Sequence, residues 1–187
     1  MIEDLLQAVR TLREGGVILY PTDTIWGIGC DATNDKAVER IYALKQRHDE
    51  KSMLVLLDDA SKIEDYVEEM PEIAWNLIEV ADKPLTIIYP GAMNLAGNLI
   101  AADGSIGIRI VKDEFCNKLI RKLGKPIVST SANISGMPWP PNFHKIDRKL
   151  VKAVDYVVTL RQNDEERGKP SGIIKLGRKG EVQVIRE

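Results

Sequence analysis

Pro126-Ile127-Val128-Ser129-Thr130-Ser131-Ala132-Asn133-Ile134-Ser135-Gly136 sets an apolar run directly against a run of hydroxyls and an amide. Pro126–Val128 reads as a short strand and Ser129–Gly136 as what lies at its C-terminal edge. Short Ser, Thr and Asn side chains both donate and accept hydrogen bonds, and ligands of open α/β sheets bind at the carboxyl ends of strands. The same composition also describes a turn rich in Ser, Asn and Gly. On this stretch alone both readings stand. A Pro-rich loop, Pro138-Trp139-Pro140-Pro141, follows.

Upstream, helix and strand signals alternate. Ile2 to Arg13 predicts a helix with Leu5, Ala8, Val9 and Leu12 on one stripe, stopped by Gly15-Gly16. Val17–Tyr20 reads as a buried strand, and Pro21 to Asp31 as a loop of hydroxyls, one carboxylate before Asp31, an aromatic and the glycines 27 and 29. Its spacing is neither GxGxxG nor a Walker P-loop. Asn34-Asp35 caps a predicted helix from Lys36 to Lys45, which ends in Lys45-Gln46-Arg47, with Lys51 shortly after. Residues two apart on a helix point about 200° apart, so Lys45 and Arg47 share a ligand only if the helix ends at or between them. The alternative is a pair of cations answering the helix macrodipole.

Met53–Leu57 reads as a strand, Asp58 opens an acidic helical region, and Pro71 to Val80 predicts a helix. Pro84 to Pro90 brackets a further strand. Ser105–Ile110 alternates so that Ser105, Gly107 and Arg109 share one face. Arg109 is then either a surface residue on an edge or a fork for a carboxylate or phosphate in a cleft. A helix over Asp113–Leu123 leads to the strand at Pro126. Beyond the polar motif come a short helix at Ile146–Val151, a strand at Tyr156–Val158, a polar loop from Asn163 to Lys169, and strands Ser171–Leu176 and Glu181–Ile185. Elements interleaved early and paired late predict one domain, spanning 1–187, built on a twisted, open, mixed α/β sheet flanked by helices.

Composition narrows the classes. At 187 residues, 44% hydrophobic and 29% charged, the chain has the make-up of an ordinary globular protein. A net charge of -2 gives no global basic field for nucleic acid. Cys30 and Cys116 form no CxxC, and with only His48 and His144 no zinc ligand set is visible, so both cysteines read as buried free thiols and no protein-held metal is expected. Met1-Ile2-Glu3-Asp4 opens no signal peptide and the apolar runs are strand-sized, which points to a cytoplasmic protein with no membrane partner.

Three polar clusters, Tyr20–Gly29, Lys45–Lys51 and Ser129–Gly136, together resemble the YrdC/Sua5 family of threonylcarbamoyl-AMP synthases. The family's Lys-x-Arg pair is Lys45-Gln46-Arg47, and its Ser-x-Asn pair is Ser131-Ala132-Asn133. Its Tyr-Pro-Thr-Glu-Thr-x-Tyr-Gly-x-Gly loop corresponds to Tyr20 to Gly29, with Asp23 for Glu and Trp26 for Tyr. The resemblance covers nearly the whole chain and ends before the second domain of the longer, Sua5-type members. It implies a YrdC/RibB-like fold with a positively charged cleft. It implies a nucleotidyltransferase that joins L-threonine, bicarbonate and ATP into threonylcarbamoyl-AMP with release of pyrophosphate, Mg²⁺ riding on the polyphosphate. A partner transferase would then modify adenosine 37 of tRNA.

By the same resemblance Lys45 and Arg47 are the catalytic cations. Arg47, Lys51, Ser105, Asn133, Pro141 and Ser171 would contact ATP, and Thr24, Arg109 and Ser131 would contact threonine. Departures fall at His48 and Ser52, where the family usually has Pro, at Leu56, where many members have a threonine-contacting His, and at Gly172, where a Thr is usual. Two other functions stay open at this level. One is a family paralogue with a different substrate. The other is a double-stranded RNA or tRNA-binding or ribosome-maturation module using Lys118, Arg121, Lys122, Lys125, Lys145, Arg148, Lys149 and Lys152, charges that more often mark solvated helix faces.

Overall fold

Period-two alternation along the strands sorts their side chains onto two faces of one sheet, and the helices cover those faces unequally. The computed structural model describes residues 1–46, 53–165 and 168–187. Its strands are β1 (Ile18–Tyr20), β2 (Gly27–Gly29), β3 (Leu54–Leu57), β4 (Leu85–Tyr89), β5 (Ile106–Ile110), β6 (Ile127–Ser131), β7 (Tyr156–Val157), β8 (Gly172–Leu176) and β9 (Val182–Arg186). Its helices are α1 (Ile2–Arg13), α2 (Asp35–Leu44), α3 (Glu72–Val80), α4 (Glu114–Leu123) and α5 (Arg148–Ala153). The strand order is β7-β1-β2-β6-β3-β5-β4-β8-β9. The pairs β1–β7, β3–β5 and β4–β8 are parallel and the others antiparallel, so the sheet is mixed.

One face carries Leu19, Ile28, Val55, Ile87, Ile108 and Val128, packed with Ala37, Val38 and Ile41 of α2, Ala74 of α3 and Leu150 of α5. The other face carries Ile18, Tyr20, Leu56 and Ile127 at one end, under Ala8, Val9 and Leu12 of α1 and Phe115, Leu119 and Ile120 of α4. Fully burying a side chain of this size stabilises by about 1.5–3 kcal/mol, so both helical layers are anchored. The helix ends follow the expected chemistry. Asn34 accepts a hydrogen bond from Ala37 N at 3.1 Å and Asp113 one from Cys116 N at 2.9 Å. Both cysteines are buried and free, as the composition suggests, and burial pushes both thiols up.

Two expectations are corrected. The polar motif does not begin where the strand ends: β6 runs on through Ser129, Thr130 and Ser131, paired with β2 and β3. Gly27–Gly29, read as loop, is itself a strand between β1 and β6. Close approach is the reason. A Cβ on Gly29 would lie 2.4 Å from Val128 O and 2.7 Å from Tyr20 Cε1. Only a glycine lets β2 insert there, and the residue that enforces this is about a hundred positions away in sequence. The acidic region after Asp58 is a 3₁₀ helix, Ala60–Asp65, capped by Asp59.

Candidate active site

Beyond the reach of α1 and α4, no helix among the described residues covers the second face of the sheet, and its side chains change from apolar to small and polar. Gly27 of β2, Ser129 and Ser131 of β6, Leu54 of β3, Arg109 of β5, Ile173 of β8 and Arg186 of β9 floor a cavity of about 190 Å³. Strand register puts them on one face: Gly27 opposes Ser131, Leu54 opposes Ser129, and Thr86 opposes both Arg109 and Ile173. Thr24, Ile25, Trp139, Pro170 and Ser171 add walls. Its described lining holds two guanidiniums and no carboxylate, so the site favours an anion.

Arg109 answers the question that the sequence left open. It lies in an interior strand between β3 and β4 and is only 3% exposed, so it is no edge residue. Its Nη2 stands 3.0 Å from Asp23 Oδ1. The alignment is poor for a hydrogen bond, and Nε and Nη2 have no hydrogen-bond partner among the described residues. A buried guanidinium with unused donors costs free energy unless a ligand completes it. Arg186 sits close enough to Arg109 that burial first, and then the neighbouring positive charge, lower its pKa. Arg186 also donates from Nε to Ser171 O at 2.9 Å, and Ser171 Oγ lies 2.8 Å from Thr86 Oγ1.

Lys45 joins the second wall. Helix α2 ends at Leu44, Lys45 is its C-cap, and Gln46 takes φ 50 in the left-handed region, so the helix ends where a shared ligand requires it to. Lys45 is 2% exposed. Its Nζ donates to Ser131 O at 2.5 Å, to Asn133 O at 2.6 Å and, weakly, to Asn133 Oδ1 at 3.4 Å. This direct contact joins the two halves of the paired signature. Asn133 Nδ2 in turn donates to Met137 O at 2.5 Å, tying down the Pro-rich loop. Arg47 and Lys51 lie outside the described residues, as do the departures His48 and Ser52.

Thr24 is held by its own loop. Thr22 Oγ1 lies 2.9 Å from Thr24 Oγ1, accepts from Thr24 N at 3.1 Å and donates to Ile25 O at 2.8 Å. The segment Gly168–Ser171 passes directly over it: a Cβ on Gly168 would lie 1.8 Å from Thr24 O. On the far side of this loop a second cavity of about 240 Å³ is lined by residues including Asp23, Trp26, Pro141, Asn142, Arg161 and Lys169.

The structure thus brings Thr24, Arg109, Ser131 and Ser171 together in the first cavity, with Lys45 and Asn133 behind its Ser131 wall. It does not place Ser105 or Pro141 in that lining. Ser105 gives its hydroxyl to Asp103 Oδ1 at 2.5 Å, and Pro141 faces the second cavity. Leu56, at the position of the family's His, is fully buried under α1 and α4 although it opposes Arg109 in register. At Gly172 an added Cβ would meet only ordinary contacts, the nearest at 3.6 Å, so packing does not demand the glycine. Arg186, Trp139 and Gly168 were not singled out from the sequence. Arg186 carried a signal of the same kind as Arg109, a guanidinium within a strand-like alternation. Three of the eight basic residues are ion-paired: Lys118 with Glu114, Arg121 with Asp58 and Lys125 with Asp31. No helix among the described residues is long and apolar enough to cross a membrane.

The Sua5_yciO_yrdC family, described as "Telomere recombination", matches residues 10–187. A threonylcarbamoyl-AMP synthase of Vibrio cholerae is 36% identical over 141 residues, covering 74% of this chain and 75% of its own. The enzyme of that name from Vibrio parahaemolyticus is 30% identical over 175 residues, covering 92% and 94%. Escherichia coli YciO superposes with a TM-score of 0.86 at 27% identity, over 100% of this chain and 90% of its own. Pyrococcus abyssi Sua5 in complex with L-threonine superposes with a TM-score of 0.81 at 26% identity, over 92% of this chain. The chain spans about half the length of that Sua5, 50%.

Proposed function

The chain belongs to the Sua5, YciO and YrdC family, and from that premise we propose that it is a threonylcarbamoyl-AMP synthase, a nucleotidyltransferase acting on L-threonine, bicarbonate and ATP. The observation that carries the reading is the buried guanidinium of Arg109 on the cavity floor, with donors that no described residue satisfies. An amino-acid carboxylate matches that fork. Thr24 and Ser131, close by in the same lining, supply groups for the substrate hydroxyl and amine, and Ser171 borders the same space.

In the proposed reaction the threonine amine adds to bicarbonate with loss of water and gives a carbamate. A carbamate oxygen then attacks the α-phosphorus of ATP. The new P–O bond forms as the bond to the bridging oxygen breaks, and pyrophosphate leaves with the electron pair. Negative charge grows on the phosphate oxygens and the leaving group, and fixed cations in a dry site stabilise it. Lys45 is the described cation for this role. Its long 3.4 Å contact with Asn133 Oδ1 is the one that a phosphate oxygen would replace, while the contacts to Ser131 O and Asn133 O hold the ammonium in place. Arg47 and Lys51 are proposed to act with it. Asn133 orients Lys45, and Ser105 and Pro141 are proposed to meet the nucleotide from outside the cavity. Mg²⁺ would be carried by the phosphates: no group of three or more His, Cys, Asp or Glu able to hold a metal occurs among the described residues, and Mg²⁺ is commonly bound through substrate phosphates with few protein ligands. The product suits a downstream transferase that acts on tRNA.

The test is pyrophosphate release by purified protein with ATP, bicarbonate and Mg²⁺, with and without L-threonine. Release that depends on threonine is expected. Release that is independent of it, or none at all, defeats the reading.

A further inference from the structure

We propose that Trp139 is the stacking platform for the purine ring of ATP at the mouth of the cavity, an assignment that rests on the function proposed above. The cavity on the sheet face measures about 190 Å³, whereas sites that enclose a ligand of ATP's size run from about 300 Å³ upward. The enclosed part therefore suits threonine and the phosphate being attacked, and the base lies outside it. At that mouth Trp139 lines the cavity yet stays 49% exposed. An indole left half in water keeps an apolar face available for a flat partner.

The loop that carries it is rigid for a physical reason. Trp139 lies between Pro138 and Pro140, and a residue before proline is confined to extended backbone. Asn133 anchors the loop's start through Met137 O, and the same amide faces Lys45. The loop backbone that carries the indole is thus tied to the cation proposed for the phosphates, and little backbone order has to be created on binding. Trp26, the other tryptophan near these cavities, is 7% exposed with its ring centroid 4.9 Å from that of Phe143, so it is already occupied. Trp75 lies on α3 and lines neither cavity.

The experiment compares ATP with inorganic tripolyphosphate, which keeps the charge and lacks the base. Affinities are measured calorimetrically with Mg²⁺ for the wild type, Trp139→Ala and Trp139→Phe, with melting temperatures and threonine-dependent pyrophosphate release alongside. Stacking of one base predicts that Trp139→Ala weakens ATP by about 5- to 100-fold, leaves tripolyphosphate within about 2-fold and leaves the melting temperature unchanged. Trp139→Phe should keep most of the affinity, and Trp139 fluorescence should quench on adding ATP. If Trp139→Ala binds ATP as the wild type does, or weakens both ligands equally, the platform is overturned while the proposed function stands. If the wild type neither binds ATP nor turns over threonine, the functional reading itself falls and takes the platform with it.

Discussion

Ile108 and Arg109 are neighbours on one strand and do opposite work. Ile108 points into the layer under α2, α3 and α5, where it is part of the hydrophobic core. Arg109 points to the face that α1 and α4 cover only in part, among Gly27, Ser129 and Ser131. Both are almost fully buried, at 2% and 3% exposure. One is satisfied by its packing, and the other keeps donors without hydrogen-bond partners. Burial alone therefore does not distinguish core from site. What distinguishes them is whether the buried group has its partners, and the two faces of this sheet differ in that respect along the same strands.

The largest expected effect is on the packed face. Ile108→Ala should cost about 2–5 kcal/mol of unfolding free energy through lost contacts and a cavity, which lowers the melting temperature by roughly 5–20 °C in a chain of this size. Its threonine KM should stay within about 2-fold. A raised KM at unchanged stability would break the division between the faces.

Arg109→Ala should act chiefly on the ligand. Truncating a buried, charge-paired fork costs about 2–5 kcal/mol of ligand interaction, or roughly 30-fold or more in kcat/KM for threonine. It also leaves Asp23 without its ion-pair partner, so Arg109→Lys is the companion variant: it keeps the charge, should recover stability and should not recover KM. Full activity in Arg109→Lys would remove the bidentate role.

Gly168→Ala comes next. An added methyl would collide with Thr24 O, and shifting that loop should raise the threonine KM about 10-fold, in line with an overpacking cost of about 1–3 kcal/mol. Threonine titrations read this directly, and an unchanged KM would show that the loop yields without moving Thr24.

The smallest effect concerns Asp103, outside the cavity. The hydrogen bond from Lys175 first, and then that from Ser105, hold its carboxyl at about 2, below the ordinary 3.8. The folded state therefore gains stability above about pH 4 and loses it as the pH falls toward 2. The pair is half exposed, so the contribution should be under about 1 kcal/mol. Asp103→Asn should flatten the stability profile over that acid range, as followed by denaturant titration.

Period and spacing made much of this protein legible. The helical stripe of Leu5, Ala8, Val9 and Leu12 and the alternation around Arg109 both appear in the structure, because they are local consequences of a 3.6- or 2-residue repeat. The paired signature was legible too, since Lys45, Ser131 and Asn133 are residue types that chemistry restricts. Their mutual contact was not, because it spans 86 and 88 positions of sequence. Nor was β2, whose Gly29 is required by the carbonyl of Val128, a neighbour created only by folding.

By itself, then, the sequence determined the class of fold, the alternation of its faces and the set of groups available for chemistry, since these depend on each residue and its near neighbours. The tertiary structure alone decided which of those groups meet. Arg109 stands beside Asp23 and Arg186, Thr24 lies under Gly168, and Trp139 is at the mouth of the cavity. Such meetings are set by strand order and register, and these follow from packing across the whole sheet rather than from any local stretch.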